Sequence, residues 1–196
     1  MKSTGIKIFG MFMLLALIAS PAAFAQLNSN APTVTLNATL PESLTVSVTS
    51  GATVNFTLAA NTAANPGSTT SSVQTAWVLQ PGRTQVTIWA WVANGAAALT
   101  NGGNNIAASQ VTAAAAGSGS AGGALNSSAS GGAGVPTFIT PAAATGVQIG
   151  SVSITGANKA SNTTTTLTWN INTTSTPQLP AGTYTGTVNI QAQATP

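Results

Sequence analysis

From Thr33 onward, much of the chain consists of short runs in which apolar and polar residues alternate. Val34, Leu36, Ala38 and Leu40 are interleaved with Thr33, Thr35, Asn37 and Thr39. After Pro41-Glu42 the rhythm resumes in Leu44, Val46 and Val48, and past Ser50-Gly51 it returns in Val54, Phe56 and Leu58. A period of two sends one set of side chains to each face, so each run predicts a half-buried strand of an antiparallel sheet. Pro41, between two such runs, predicts a strand that bends at an edge or switches sheets. Val73, Thr75, Trp77 and Leu79 mark another strand, and Val86, Ile88, Ala90 and Val92 the next. Pro81-Gly82 between them reads as the tight connection of a hairpin. The second arm carries Thr87, Trp89 and Trp91 on its other side, so it is apolar on both faces.

The second half continues in kind. Ile106–Thr112 reads as a short strand. Val147 and Ile149 change parity to Val152 and Ile154, which predicts a bulge near Gly150-Ser151. Thr165, Leu167, Trp169 and Ile171 face inward from a Thr-rich strand. The last strand runs from Tyr184 through Gly186, Val188, Ile190 and Ala192, after a turn punctuated by Pro180 and Gly182. Between these runs lie Asn61–Ser72, a loop by composition, and Ala113–Gly134. In that stretch Gly, Ala and Ser fill 20 of 22 positions. So little side-chain surface cannot offset the entropy of ordering the chain, which predicts a flexible low-complexity loop. The expected fold is all-β, an antiparallel sandwich of seven to nine strands with one flexible Gly/Ala/Ser-rich loop.

The Leu179–Ala194 stretch, with its Leu-Pro-Ala-Gly-Thr-Tyr entry, resembles the closing strand of immunoglobulin-like β-sandwiches, including secreted bacterial fimbrial subunits and spore coat protein U-like domains. The Thr-rich strand before it and the Leu-Gln-Pro-Gly-Arg-Thr turn at Leu79–Thr84 are similar in character. The resemblance implies an immunoglobulin-like sandwich and a surface role. It also implies a structural corner at Tyr184, whose hydroxyl would bond back to upstream backbone. The chain differs from chaperone–usher pilins in lacking the cysteine pair many of them carry and an aromatic near the C-terminus.

Residues 1–25 read as a secretory signal peptide: Lys2 and Lys7, an apolar run from Ile8 to Ala19, and Ala23-Phe24-Ala25 before the cleavage point. The 196 − 25 = 171 residues that follow form one expected domain, 26–196, large enough for a sizeable core. The run in the leader is too short to span a bilayer, so no membrane span is expected. The expected location is secreted: periplasm, cell surface or extracellular. Removing the leader leaves Glu42, Arg83 and Lys159 as the ionisable acidic and basic side chains. A net charge of +1 on two scattered cations offers no nucleic-acid-binding patch.

This inventory argues against an enzyme. The chain has no Cys and no His, and Glu42 is its single carboxylate side chain. Neither a Ser–His–Asp triad nor a carboxylate pair can be assembled, and neither can a metal site built from such ligands. No catalytic residue, cofactor or metal is assigned. Trp89 and Trp91, side by side on one strand face, are the candidate binding platform. The first functional expectation is a non-catalytic structural or surface protein, fimbrial- or coat-subunit-like, that self-associates through β edges. Its partners would be further copies of itself or other surface subunits. An almost uncharged exterior lacks the Lys residues that normally guard sheet edges. The alternative is an extracellular module that binds carbohydrate or protein through Trp89 and Trp91.

Overall fold

The computed structural model describes residues 29–117, 119, 121–129, 139 and 142–196. The leader, its cleavage point near Ala25 and residues 118, 120 and 130–134 of the low-complexity stretch lie outside them. The chain divides into two units at Thr39/Leu40. The described part of the first, residues 29–39, has no secondary structure and is exposed throughout.

The second unit is an antiparallel β-sandwich. Its long strands are β1 (Ser43–Ser50), β3 (Ser71–Val78), β4 (Gln85–Val92), β7 (Val111–Ala116), β10 (Thr145–Ser153), β11 (Ala160–Ile171) and β12 (Asn189–Thr195). Five strands of two or three residues complete the set: β2 (Asn65–Pro66), β5 (Leu99–Asn101), β6 (Asn104–Ile106), β8 (Gly122–Ala124) and β9 (Ser128–Ala129). Twelve strands among the described residues exceed the seven to nine expected because these short pairings carry no alternating signal of their own. One sheet runs β1-β3-β11-β7-β8 with β2 on the end of β11; the other runs β12-β4-β10-β9; β5 and β6 pair separately.

The core forms where the apolar faces of the two sheets meet. Val73, Trp77, Leu167, Trp169 and Ile171 point in from the first sheet, and Val86, Ile88, Ala90, Val92 and Val147 from the second. Each large side chain removed from water contributes about 1.5–3 kcal/mol. The bulge in β10 falls between Gln148 and Gly150, where the register against β4 shifts. It lets Val147 and Ile149, before and at the break, enter the core with Ile154 beyond it.

Three expectations need correction. Pro81-Gly82 does not close a hairpin: β3 pairs with β1 and β11, whereas β4 pairs with β12 and β10. The turn passes the chain from one sheet to the other, because both arms carry a core face and each finds better-matched neighbours elsewhere. The Ala113–Gly134 stretch is not wholly a loop. Its described part includes the end of β7 laddered on β11, then β8 and β9, with Ala113 and Leu125 fully buried. Composition counts side-chain area; here backbone pairing and one anchoring leucine order a segment that has little area to bury.

The third correction concerns three alternating runs that were expected to be strands. Residues 33–40 lie in no strand, and 53–58 and 183–188 make only isolated bridges, Phe56 to Gly67 and Thr185 to Thr100. Their pattern is that of a strand, and they lack the neighbour that would complete one.

Candidate functional site

Two of those runs are walls of a cavity of about 930 Å³ at one end of the sandwich. One wall presents Val54, Phe56 and Leu58, each half-buried, alternating with exposed Thr53, Asn55 and Thr57. The chain enters it through Gly51, whose φ of 63° brings it under the Thr70 carbonyl, where a Cβ would collide. Ser71 Oγ donates to Gly51 O at 2.6 Å. The wall ends at two buried polar residues. Asn65 Oδ1 accepts from Ala59 N at 2.7 Å, and Thr173 Oγ1 donates to Ala59 O at 2.7 Å.

The opposite wall presents Tyr184 and Val188, continuing to Ile190 in β12. Thr185 exchanges both backbone bonds with Thr100, at 2.9 and 3.1 Å. Gly186 packs so closely on Ala98 O that no side chain fits there. The Tyr184 hydroxyl donates to Pro180 O at 2.9 Å, which holds the turn into this wall, and its ring is half-buried against the core. The floor is the end of the core itself, including Trp169 and Ile171.

Backbone accounting shows what the cleft lacks. Among the described residues, Thr185 is the one position from 182 to 188 with a backbone–backbone bond, and Asn55 the one from 52 to 60. The N–H and C=O groups of Val54, Phe56, Leu58, Tyr184, Gly186 and Val188 therefore have no backbone partner. Such groups need water or another chain. No side chain lining the cleft is ionisable apart from the Tyr184 phenol. Its chemistry is thus that of an apolar slot between two unsatisfied extended edges.

No family model, curated protein or solved structure matches the chain. Among the described residues no group of His, Cys, Asp and Glu is placed to hold a metal, and no helix is long and apolar enough to cross a membrane.

Trp89 and Trp91 lie elsewhere, on the outward face of β4. Trp89 is 5% exposed and packs with Ile139 and Ala144, with Trp91 half-buried against the same group. Neither indole N–H has a hydrogen-bond partner among the described residues. The two rings do not form a flat solvent-facing surface. Trp77 and Trp169 are in the core and donate to Asn158 O at 2.8 Å and Ser71 Oγ at 2.9 Å.

The three charges converge at the other end of the molecule. Arg83 grips Glu42 with Nε to Oε1 at 2.9 Å and Nη2 to Oε2 at 3.2 Å, and its Nη1 reaches Ala194 O at 3.3 Å. Lys159 Nζ donates to Pro81 O at 2.8 Å and to Arg83 O. Sequence separation hid this clasp around the 81–83 turn. The cleft walls were visible as alternating runs, but nothing in the pattern distinguished an open edge from a paired one.

Proposed function

We propose that this chain is a secreted, non-catalytic structural or surface subunit that self-associates through its β edges, in the manner of a fimbrial or coat subunit. The observation that carries the reading is the open cleft: two walls along which, among the described residues, only Asn55 and Thr185 have backbone partners, facing an uncharged slot. An edge of that kind pairs with a further strand more readily than it stays solvated. Few charges oppose such contact. With Glu42, Arg83 and Lys159 drawn into one clasp, like-charge repulsion between copies is minimal.

Sedimentation velocity of the purified protein across a hundredfold concentration range, with negative-stain electron microscopy of the same samples, tests the reading. Oligomers or filaments that persist when ionic strength is raised are the expected result, because screening acts only on charges that are present. A monomer at every concentration, or oligomers that dissolve in salt, overturns it.

A further inference from the structure

We infer that two copies of this chain join through β1, laid antiparallel against β1 of the second copy about a two-fold axis through Val46. The inference rests on the self-association reading and names the strand responsible. Four strands end the two sheets, β1 and β8 in one and β12 and β9 in the other. Three of them are protected. β8 and β9 are three and two residues long, and edges that short offer a poor template. β12 carries the Arg83 guanidinium on its Ala194 carbonyl at 3.3 Å, which sets a cation at that edge. β1 has no such guard. Its eight residues, Ser-Leu-Thr-Val-Ser-Val-Thr-Ser, include no charge, no proline and no glycine. β3 is its one ladder partner among the described residues, so alternate N–H and C=O groups on its other side have none. Val48, 42% exposed, is the one exposed large apolar side chain in any strand among the described residues.

A second copy is the partner because the strand is complementary to itself. About an axis at Val46, Val46 faces Val46, Leu44 faces Val48, Thr45 faces Ser47 and Ser43 faces Thr49. Apolar residues thus meet apolar ones on one face, and hydroxyls meet hydroxyls on the other. Leu44 and Val46 already pack on the core, and the pairing sets the exposed Val48 of each copy beside Leu44 of the other. Moving the axis to Thr45 would put Glu42 opposite Val48, and moving it to Ser47 would put Leu44 opposite Ser50. An axis between two residues would join the apolar face of one copy to the hydroxyl face of the other. No residue of β1 is ionisable, so the contact buries no charge. The same patch is used on both copies, so the contact closes at a dimer, with the two β1-β3-β11-β7-β8 sheets made continuous.

Charge placed on the hydroxyl face tests the pairing. Thr45 and Ser47 are exposed, so the full chain with Thr45→Lys and Ser47→Lys should keep the wild-type circular dichroism spectrum. Between two such chains each lysine would stand directly opposite another, which opposes the ladder. The variant should sediment as a monomer at concentrations where the wild-type protein is a dimer. Mixed with a chain carrying Thr45→Glu and Ser47→Glu, it should form a heterodimer, because each lysine then faces a carboxylate. Oligomers that persist in the lysine variant, or a mixture that stays monomeric, overturn the inference and leave self-association standing. A wild-type monomer overturns both. Single cysteines, in a chain that has none, give a second readout should the lysine variant fail to fold. Residues 45 and 47 of opposite copies would have Cβ atoms about 5 Å apart, against about 7 Å for 45 with 45. Thr45→Cys mixed with Ser47→Cys should therefore form the mixed disulfide faster than either variant links to itself. No preference for the mixed disulfide overturns the inference.

Discussion

The two ends of this sandwich are built on different terms. At the clasped end the chain crosses between sheets through Pro81-Gly82, and three charges and several carbonyls satisfy one another around the turn. Thr84 N donates to Thr195 O at 2.9 Å and Ile154 N to Thr84 O at 2.7 Å, so the ladders of β4 with β12 and β10 run on to the end of their sheet. At the cleft end the extended walls carry strand-like sequence without ladders, and the core floor shows between them. The same kind of sequence pattern is present at both ends. What differs is whether a neighbouring strand is available within one chain. The closed end satisfies its backbone within the chain; the open end leaves extended backbone without a strand partner among the described residues.

The largest expected effect measures that difference in stability. Trp77, 3% exposed near the clasped end, donates its indole N–H to Asn158 O. Trp77→Ala should cost about 3–5 kcal/mol. Phe56→Ala, in a cleft wall that is half-open in the free chain, should cost about 1–2 kcal/mol under conditions where the protein is monomeric. Urea midpoints of the two variants check this. Equal losses would mean the cleft end is as closed as the clasped end, and the contrast would fail.

How much of this was legible in the sequence follows the same division. Period-two alternation identified β1, β3, β4, β10 and β11, and the parity change around Ile149 located the bulge, because those patterns report a buried face directly. The residues Ala113–Ala116 and Gly122–Ala124 were missed as strands, since Ala and Gly carry no face contrast and their order comes from pairing on β11. The Trp89–Trp91 face looked available because Ile139, nearly fifty residues away, gave no sign that it would pack there. The cleft was half-legible. Each of the three runs reads as a strand, yet alternation specifies a face and not a partner, so no local pattern could show that the ladders would be absent.

A smaller effect is expected inside the closed body. Thr165 is fully buried, and its hydroxyl has no hydrogen-bond partner among the described residues; Thr75 shares this condition. A buried hydroxyl that bonds to nothing has lost its water without compensation. Thr165→Val keeps the β-branched shape and removes that cost, so it should stabilise the protein by about 1 kcal/mol. Thr168→Val, on the exposed face of the same strand, should change the midpoint little. A Thr165→Val variant less stable than wild type would mean that the hydroxyl is satisfied in solution, and that the closed body admits water as the cleft does.

The smallest effect probes the clasp, and it can be read cleanly because Glu42 is the only acidic side chain and the chain has no histidine. The hydrogen bond from the Arg83 side chain, with further help from the Gln80 N–H and the Arg83 charge, holds the Glu42 carboxyl below its ordinary value. A carboxyl whose value is lower in the folded state contributes stability in full above its unfolded value. That contribution is lost as pH falls through the folded value. The pair is exposed and screened, so the step should be small. The denaturation midpoint should be flat from about pH 8 to about pH 5 and decline slightly between about pH 5 and pH 3, the range in which carboxylates titrate. Glu42→Gln should remove that decline, leaving whatever the C-terminal carboxylate contributes, and 1 M salt should reduce the wild-type step. A decline that persists unchanged in Glu42→Gln would mean that the clasp does not hold the 81–83 end closed and that its order comes from backbone pairing alone. In that case the two ends would differ in strand partners and not in charge.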